Sequence, residues 1–168
     1  MIQRTMLKKL MLAGMVMLTA AGCEEEDLTL PTQNEIESYF AEQDVEVELT
    51  GNVVLITVVQ SATQLRRGGS LWAKVGPYIY LFSEPTHQLL VDHPGVAGVR
   101  VITRTSGGTR VASVLLRRDA LNDINWRRAL NMAGLARRDG STQITRLGDL
   151  VRWGEERTEF EYSSRWVN

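Results

Sequence analysis

Polar and apolar positions along the chain alternate with helical and strand periods. Thr32-Gln33-Asn34-Glu35 has the form of a capping box, with a threonine N-cap and glutamate three residues on. Ile36, Tyr39 and Phe40 come next at helical spacing, so an amphipathic helix is expected over 33–43. Val45, Val47 and Leu49 then alternate with Glu46, Glu48 and Thr50, the period of a half-buried strand. Gly51-Asn52 fits a two-residue turn, and Val53 to Val59 is almost wholly apolar and β-branched, which suits a central strand. Residues 45–59 therefore read as a hairpin.

Gln64 to Gly69 reads as a loop or a helix start, and Ser70 as a cap for a helix beginning at the next residue. Leu71, Val75, Tyr78, Ile79 and Phe82 share one helical face, so a helix is expected over 71–82, kinked at Pro77. A strand over 78–83 is the rival reading, because Tyr-Ile-Tyr-Leu-Phe is rich in strand formers. Pro94-Gly95 breaks the chain. Val99, Val101 and Thr103 alternate with Arg100, Ile102 and Arg104. Ser106-Gly107-Gly108 turns, and Thr109 to Leu116 returns as a second hairpin. Helices are expected over 123–138, with Ile124, Leu130, Ala133 and Leu135 as its apolar positions and Asp139-Gly140 as its stop, and over 142–156. Phe160 and Tyr162 alternate with Glu159 and Glu161 in a last strand. This order predicts an α+β domain: two β-hairpins forming an antiparallel or mixed sheet, with amphipathic helices packed on it.

Before that domain, Arg4, Lys8 and Lys9 precede an uncharged apolar run from Leu10 to Ala21. The run falls short of the roughly 20 residues needed to span a bilayer and fits the core of a secretory signal. It ends at Ala20-Ala21-Gly22-Cys23, the only cysteine in the chain. These residues resemble the lipobox of bacterial lipoproteins, with Ala20 where that family usually has leucine. The resemblance implies cleavage after residue 22, lipidation of Cys23 with diacylglycerol and a further acyl chain such as palmitate, and anchorage in a membrane. Glu24 after the cysteine implies the outer membrane, periplasm-facing. Two or more acyl chains anchor stably where one does not.

The organisation expected is thus a signal peptide at 1–22, a lipidated cysteine with an acidic tether at 23–31, and one domain at 32–168. Residues 24–65 hold ten acids and no lysine or arginine, while 66–168 hold sixteen basic and ten acidic residues. An acidic tether beside an ordinarily charged domain is the preferred reading of this asymmetry, with a basic partner-binding face as the alternative. With Cys23 lipidated no thiol remains, so no disulfide framework is expected. The rhythm of Val45 to Val59, an amphipathic helix and Val96-Ala97-Gly98-Val99-Arg100-Val101 also resembles that of BON domains, envelope modules associated with membrane or phospholipid contact. The long middle segment with Pro77 and Pro85 and the second hairpin depart from that pattern, and no residue is carried over.

Candidate chemistry is sparse. His87, His93, Asp92 and Glu84 lie within ten residues but are interrupted by prolines, so no helical metal-binding face is expected. No nucleophile elbow, GxGxxG or GxxxxGK[ST] is present. Asp119 and Asp123 stand where helix N-caps belong. No catalytic residue, metal or cofactor is expected. Arg117-Arg118, Arg127-Arg128 and Arg137-Arg138 recur every ten residues, which does not line one helical face. The negative mature chain argues against nucleic acid. Trp72, Tyr78 and Tyr80 are the candidate interaction surface, since tyrosine and tryptophan are favoured at interfaces. The function expected is a membrane-anchored envelope lipoprotein with a small non-enzymatic interaction domain and an envelope protein as partner. The alternatives are a lipid- or small-ligand-binding module, and an envelope enzyme whose site would draw on residues such as Asp119, Glu155 and His93.

Overall fold

The computed structural model describes residues 28–167; the signal segment, Cys23 and the acidic residues up to Asp27 lie outside the described residues. The elements run α1 (Gln33–Tyr39), β1 (Glu46–Thr50), β2 (Val53–Gln60), α2 (Ala62–Leu81), α3 (Glu84–Asp92), β3 (Gly98–Thr105), β4 (Arg110–Arg117), α4 (Asp123–Asp139), α5 (Ile144–Glu155) and β5 (Glu159–Tyr162), with a 3-10 turn at Arg118–Ala120. The strands form one mixed sheet in the order β1-β2-β3-β4-β5. Only β2 and β3 run parallel, joined through α2 and α3; the other neighbours are antiparallel. The fold is α+β, as the periodicity predicts.

Alternation along the strands decides which face is covered. Val54, Ile56 and Val58 on β2 pair with Val99, Val101 and Thr103 on β3, and these with Leu116, Val114 and Ala112 on β4. All are buried, and the helices supply Ile36, Tyr78, Leu81, Phe82, Leu89, Trp126 and Leu150 to the same core. Burying an apolar side chain of this size contributes about 1.5–3 kcal/mol. The intervening residues Val53, Leu55, Thr57, Arg100, Ile102 and Leu115 are only half-buried.

The first hairpin turns at Gly51, whose φ of 63° only glycine adopts without strain. Thr32 closes the expected capping box on Glu35, although the helix ends at Tyr39 rather than 43. Residues 78–81 are helical, so the strand reading fails there. The helical break lies at Gly69 (φ 57, ψ −147), not at Pro77. A residue with no Cβ reaches that conformation readily, and the helix runs on through Pro77. Two helical stretches thus meet at Gly69: one begins at Ala62, after Ser61, and the second runs from Ser70 to Leu81, close to the expected 71–82.

α3 is an element that the periodicity does not predict. Pro85 sits in its first turn, where the missing N–H costs nothing. α4 is capped by Asn122, which accepts from the Asn125 N–H at 2.9 Å, and not by Asp119 or Asp123. Its buried stripe is Trp126, Ala129, Ala133 and Ala136. Ile124 is 69% exposed. Small alanines let α4 approach the core closely beyond Trp126, and Leu130 and Leu135 fall at its margins.

Candidate functional site

The carboxyl end of β2 carries one of the buried polar side chains of the fold with an atom left unpartnered. Gln60 continues the buried register of Val54, Ile56 and Val58, and is only 6% exposed. Its Nε2 donates to the Trp72 carbonyl at 3.0 Å, while its Oε1 is buried without a partner. α2 makes room for it at Gly76, where a Cβ would lie 2.1 Å from Gln60 Nε2. An unpaired buried acceptor costs about 1–3 kcal/mol, so a group that supplies a donor there recovers free energy.

Gln60 lines a recess of about 220 Å³ with Trp72, Ile79, Tyr80 and Arg137. This recess shares Gln64, Trp72 and Arg137 with an open groove of about 720 Å³ that continues past Ser61, Gly140, Ser141 and Ile144. The walls are thus the first turns of α2, its aromatic second half and the α4–α5 junction. Arg137 is held across the recess by donating from Nη2 to the Ile79 carbonyl at 2.9 Å. Gly140 permits the tight junction, since a Cβ there would lie 2.3 Å from the Ala136 carbonyl oxygen. The groove joins an apolar plate to amides, hydroxyls and one guanidinium. No histidine or carboxylate is among the described residues that line it.

Two of the three expected surface aromatics belong to this groove: Trp72 and Tyr80. The third, Tyr78, does not, being fully buried. Its ring stacks on Phe82 with centroids 5.7 Å apart, and its hydroxyl is bonded to that of Tyr162 at 3.0 Å. Burial raises the pKa of both phenols, Tyr162 the more strongly. The helical stripe placed Tyr78 correctly; its fellow Ile79 is half-exposed and lines the recess.

Other polar residues have structural work. Tyr39 donates to Asp92 Oδ2 at 2.8 Å and lies 3.2 Å from His93 Nε2, fastening α1 to α3. Burial, then the Asp92 bond, pushes the Tyr39 phenol up to about 12, which makes it a poor proton donor at neutral pH. His87 lies over Trp126 with ring centroids 4.7 Å apart. Asp119 is exposed beside Leu28 and Gly95, and Glu155 lies 3.7 Å from Lys74. No hydrogen bond joins His93, Asp119 and Glu155. Among the described residues no cluster of three or more His, Cys, Asp or Glu could hold a metal, and no helix is long and apolar enough to cross a membrane.

The arginine pairs disperse into separate roles. Arg118 donates to the carbonyls of Val96 at 2.7 Å, Leu90 at 2.5 Å and His93, tying the end of α3 to the start of β3. Arg117 pairs with Glu159, and Arg138 with Asp139 at 2.8 Å. Arg127 is exposed on α4. Sequence reasoning missed Gln60, Gln64, Ser141 and the role of Arg137. A glutamine in the buried register of an otherwise apolar strand was the available signal for the first. Comparison with protein-family models, curated proteins and solved structures finds no match.

Proposed function

We propose that this chain is an envelope lipoprotein, exported by residues 1–22, acylated on Cys23, and acting at the periplasmic face of the outer membrane through a non-enzymatic interaction domain. Its binding surface in this reading is the groove between α2 and the α4–α5 junction. The observation that supports binding there is Gln60, whose Oε1 is buried and unpartnered, in the lining of an aromatic-walled recess that adjoins the open groove.

The position of the groove fits an anchored protein. The backbone at Leu28 lies against Gly95, where a Cβ would be 2.2 Å from the Leu28 carbonyl oxygen. That contact is at the amino end of β2, since Ala97 donates to the Asn52 carbonyl at 2.8 Å. The groove is at the other end of β2, roughly 23 Å away at a strand rise of about 3.3 Å. Five residues from Cys23 to Asp27 reach at most about 18 Å. An anchored domain would therefore ride near the bilayer with the groove turned away from it, towards other envelope components.

The chemistry favours a protein segment that places an N–H or O–H against Gln60, an acidic group near Arg137 and an apolar body on Trp72. A lipid or small ligand is the second reading, supported by the recess itself. The 220 Å³ recess alone is smaller than the roughly 300–1,000 Å³ usual for small-molecule pockets, and the 720 Å³ groove that continues from it is open, so the protein segment is preferred. The test is labelling with a clickable palmitate analogue followed by membrane fractionation. Parent chain should carry label and sediment with outer membrane; Cys23→Ser should lose the label and leave the outer-membrane fraction. A Cys23→Ser chain that still carries label would rule out the anchor.

A further inference from the structure

The face of the sheet turned away from the helices has an ordered charge pattern. In register across the five strands lie Glu48, Leu55, Arg100, Leu115 and Glu159, and beside them Glu46, Thr57, Ile102, Ser113 and Glu161. The β4–β5 half of this face neutralises itself, Arg117 pairing with Glu159 and Arg110 with Glu161. The β1–β3 half does not. Glu46 and Glu48 on β1 have no basic partner among the described residues, and Arg104 on β3 has no acidic one. Arg100 reaches only the Ser113 hydroxyl, at 3.2 Å. Between the two charged columns run the half-buried Val53 and Leu55 and the 64% exposed Val59 of β2.

We propose that this half-face docks on a second copy of the same chain, about a two-fold axis running along β2. Rotation about that axis sets β2 on β2, the β1 column on the partner's β3 column, and the β3 column on the partner's β1. Glu48 then faces the second copy's Arg100, and Glu46 falls between that copy's Arg100 and Arg104, twice over by symmetry. Each charge column left unpaired within one chain meets its complement, with apolar β2 at the centre, as an isologous contact requires. The self-neutralised β4–β5 half lies outside the overlap. A two-fold across the strands would instead set glutamate on glutamate. The chosen axis also leaves the Leu28 ends of both copies on the same side, as two chains anchored in one membrane need; the charge pairing does not depend on that anchor. Packed sheets lie about 10 Å apart, a gap that an arginine and a glutamate close together. Only three short strands overlap, a small patch for a stable interface, which needs about 800 Å² per partner, so the dimer is concentration-dependent.

The experiment uses the full chain in mild detergent with a short bis-maleimide cross-linker. Thr57→Cys places a thiol on the axis, and Glu161→Cys one outside the overlap; the parent chain sets the background. Thr57→Cys should give covalent dimer at several times the Glu161→Cys yield, rising with protein concentration and falling with salt. Adding Glu48→Arg or Arg100→Glu to Thr57→Cys should cut that yield at least about fivefold, and both together should restore it. Circular dichroism identifies a single variant that has lost its fold; salt dependence and the double exchange then decide. Equal yields from Thr57→Cys and Glu161→Cys, or a yield indifferent to salt and to charge reversal, would overturn the proposal.

Discussion

The side chain of Gln60 occupies the space that a side chain at residue 76 would need: a Cβ on Gly76 would lie 2.1 Å from Gln60 Nε2. Gly76→Ala must therefore displace the amide, breaking its bond to the Trp72 carbonyl and closing the recess. Overpacking of this kind costs about 1–3 kcal/mol. Chemical denaturation should show that loss for Gly76→Ala, and a much smaller additional loss when Gln60→Ala is combined with it, because the two side chains compete for one volume.

Arg118 should be the most demanding single arginine. It satisfies three backbone carbonyls at the α3–β3 junction, a geometry that the point charge of lysine does not reproduce. Arg118→Ala should destabilise by about 2–4 kcal/mol, and Arg118→Lys should recover less than half of that. Arg127→Ala, on an exposed position of α4, should change stability by less than about 0.5 kcal/mol. Parallel urea titrations of the three variants make the comparison.

The α1 capping box should give a small acid transition. The backbone N–H and hydroxyl of Thr32 donate to Glu35 at 2.7 and 2.8 Å and hold its carboxyl below the ordinary carboxylate range. A group whose pKa is lower in the folded chain adds stability above its unfolded pKa and loses it as pH falls through the folded one. Stability should therefore drop below about pH 4, and Thr32→Ala, costing about 0.5–2 kcal/mol at neutral pH, should flatten that part of the profile. Melting curves from neutral pH down through the carboxylate range would show it.

Tyr39 should ionise late. Its phenol is pushed up to about 12 by burial and by its bond to Asp92. Absorbance titration of tyrosinate, comparing parent chain with Tyr39→Phe, should assign one phenol to that range. Asp92→Asn should bring it part of the way back towards the ordinary tyrosine value, since burial remains.

Both hairpins and the helices at 33–39, 123–139 and 144–155 were legible because one face of each is buried and the other is wet. The sequence misled where that contrast fades. α3 begins with Glu84-Pro85 and carries only Leu89 and Leu90 as large buried residues, so its stripe is too short to read. The α2 break fell at Gly69 because a positive φ bends a helix more sharply than a proline whose ring can be accommodated. In the groove, Trp72 and Tyr80 were visible as aromatics beside an apolar stripe. Gln60, Arg137 and Ser141 come from three separate segments, and only the crossover from β2 through α2 and the return of α4 bring them together. Tyr78 belonged by periodicity to the stripe, and its polar handle meets Tyr162 from the far end of the chain.

The groove above Gln60, and not another part of the surface, is where this chain should meet an envelope partner. In-cell photo-crosslinking of the acylated chain, with the probe placed in turn at Trp72, Tyr80 and Arg127 and the adducts read by mass spectrometry, tests it most directly. One discrete protein adduct is expected from Trp72 and Tyr80, suppressed by Arg137→Glu, and none from Arg127 on the outer side of α4. Adducts only to lipid, adducts equally from Arg127, or no adduct from either groove position would contradict it.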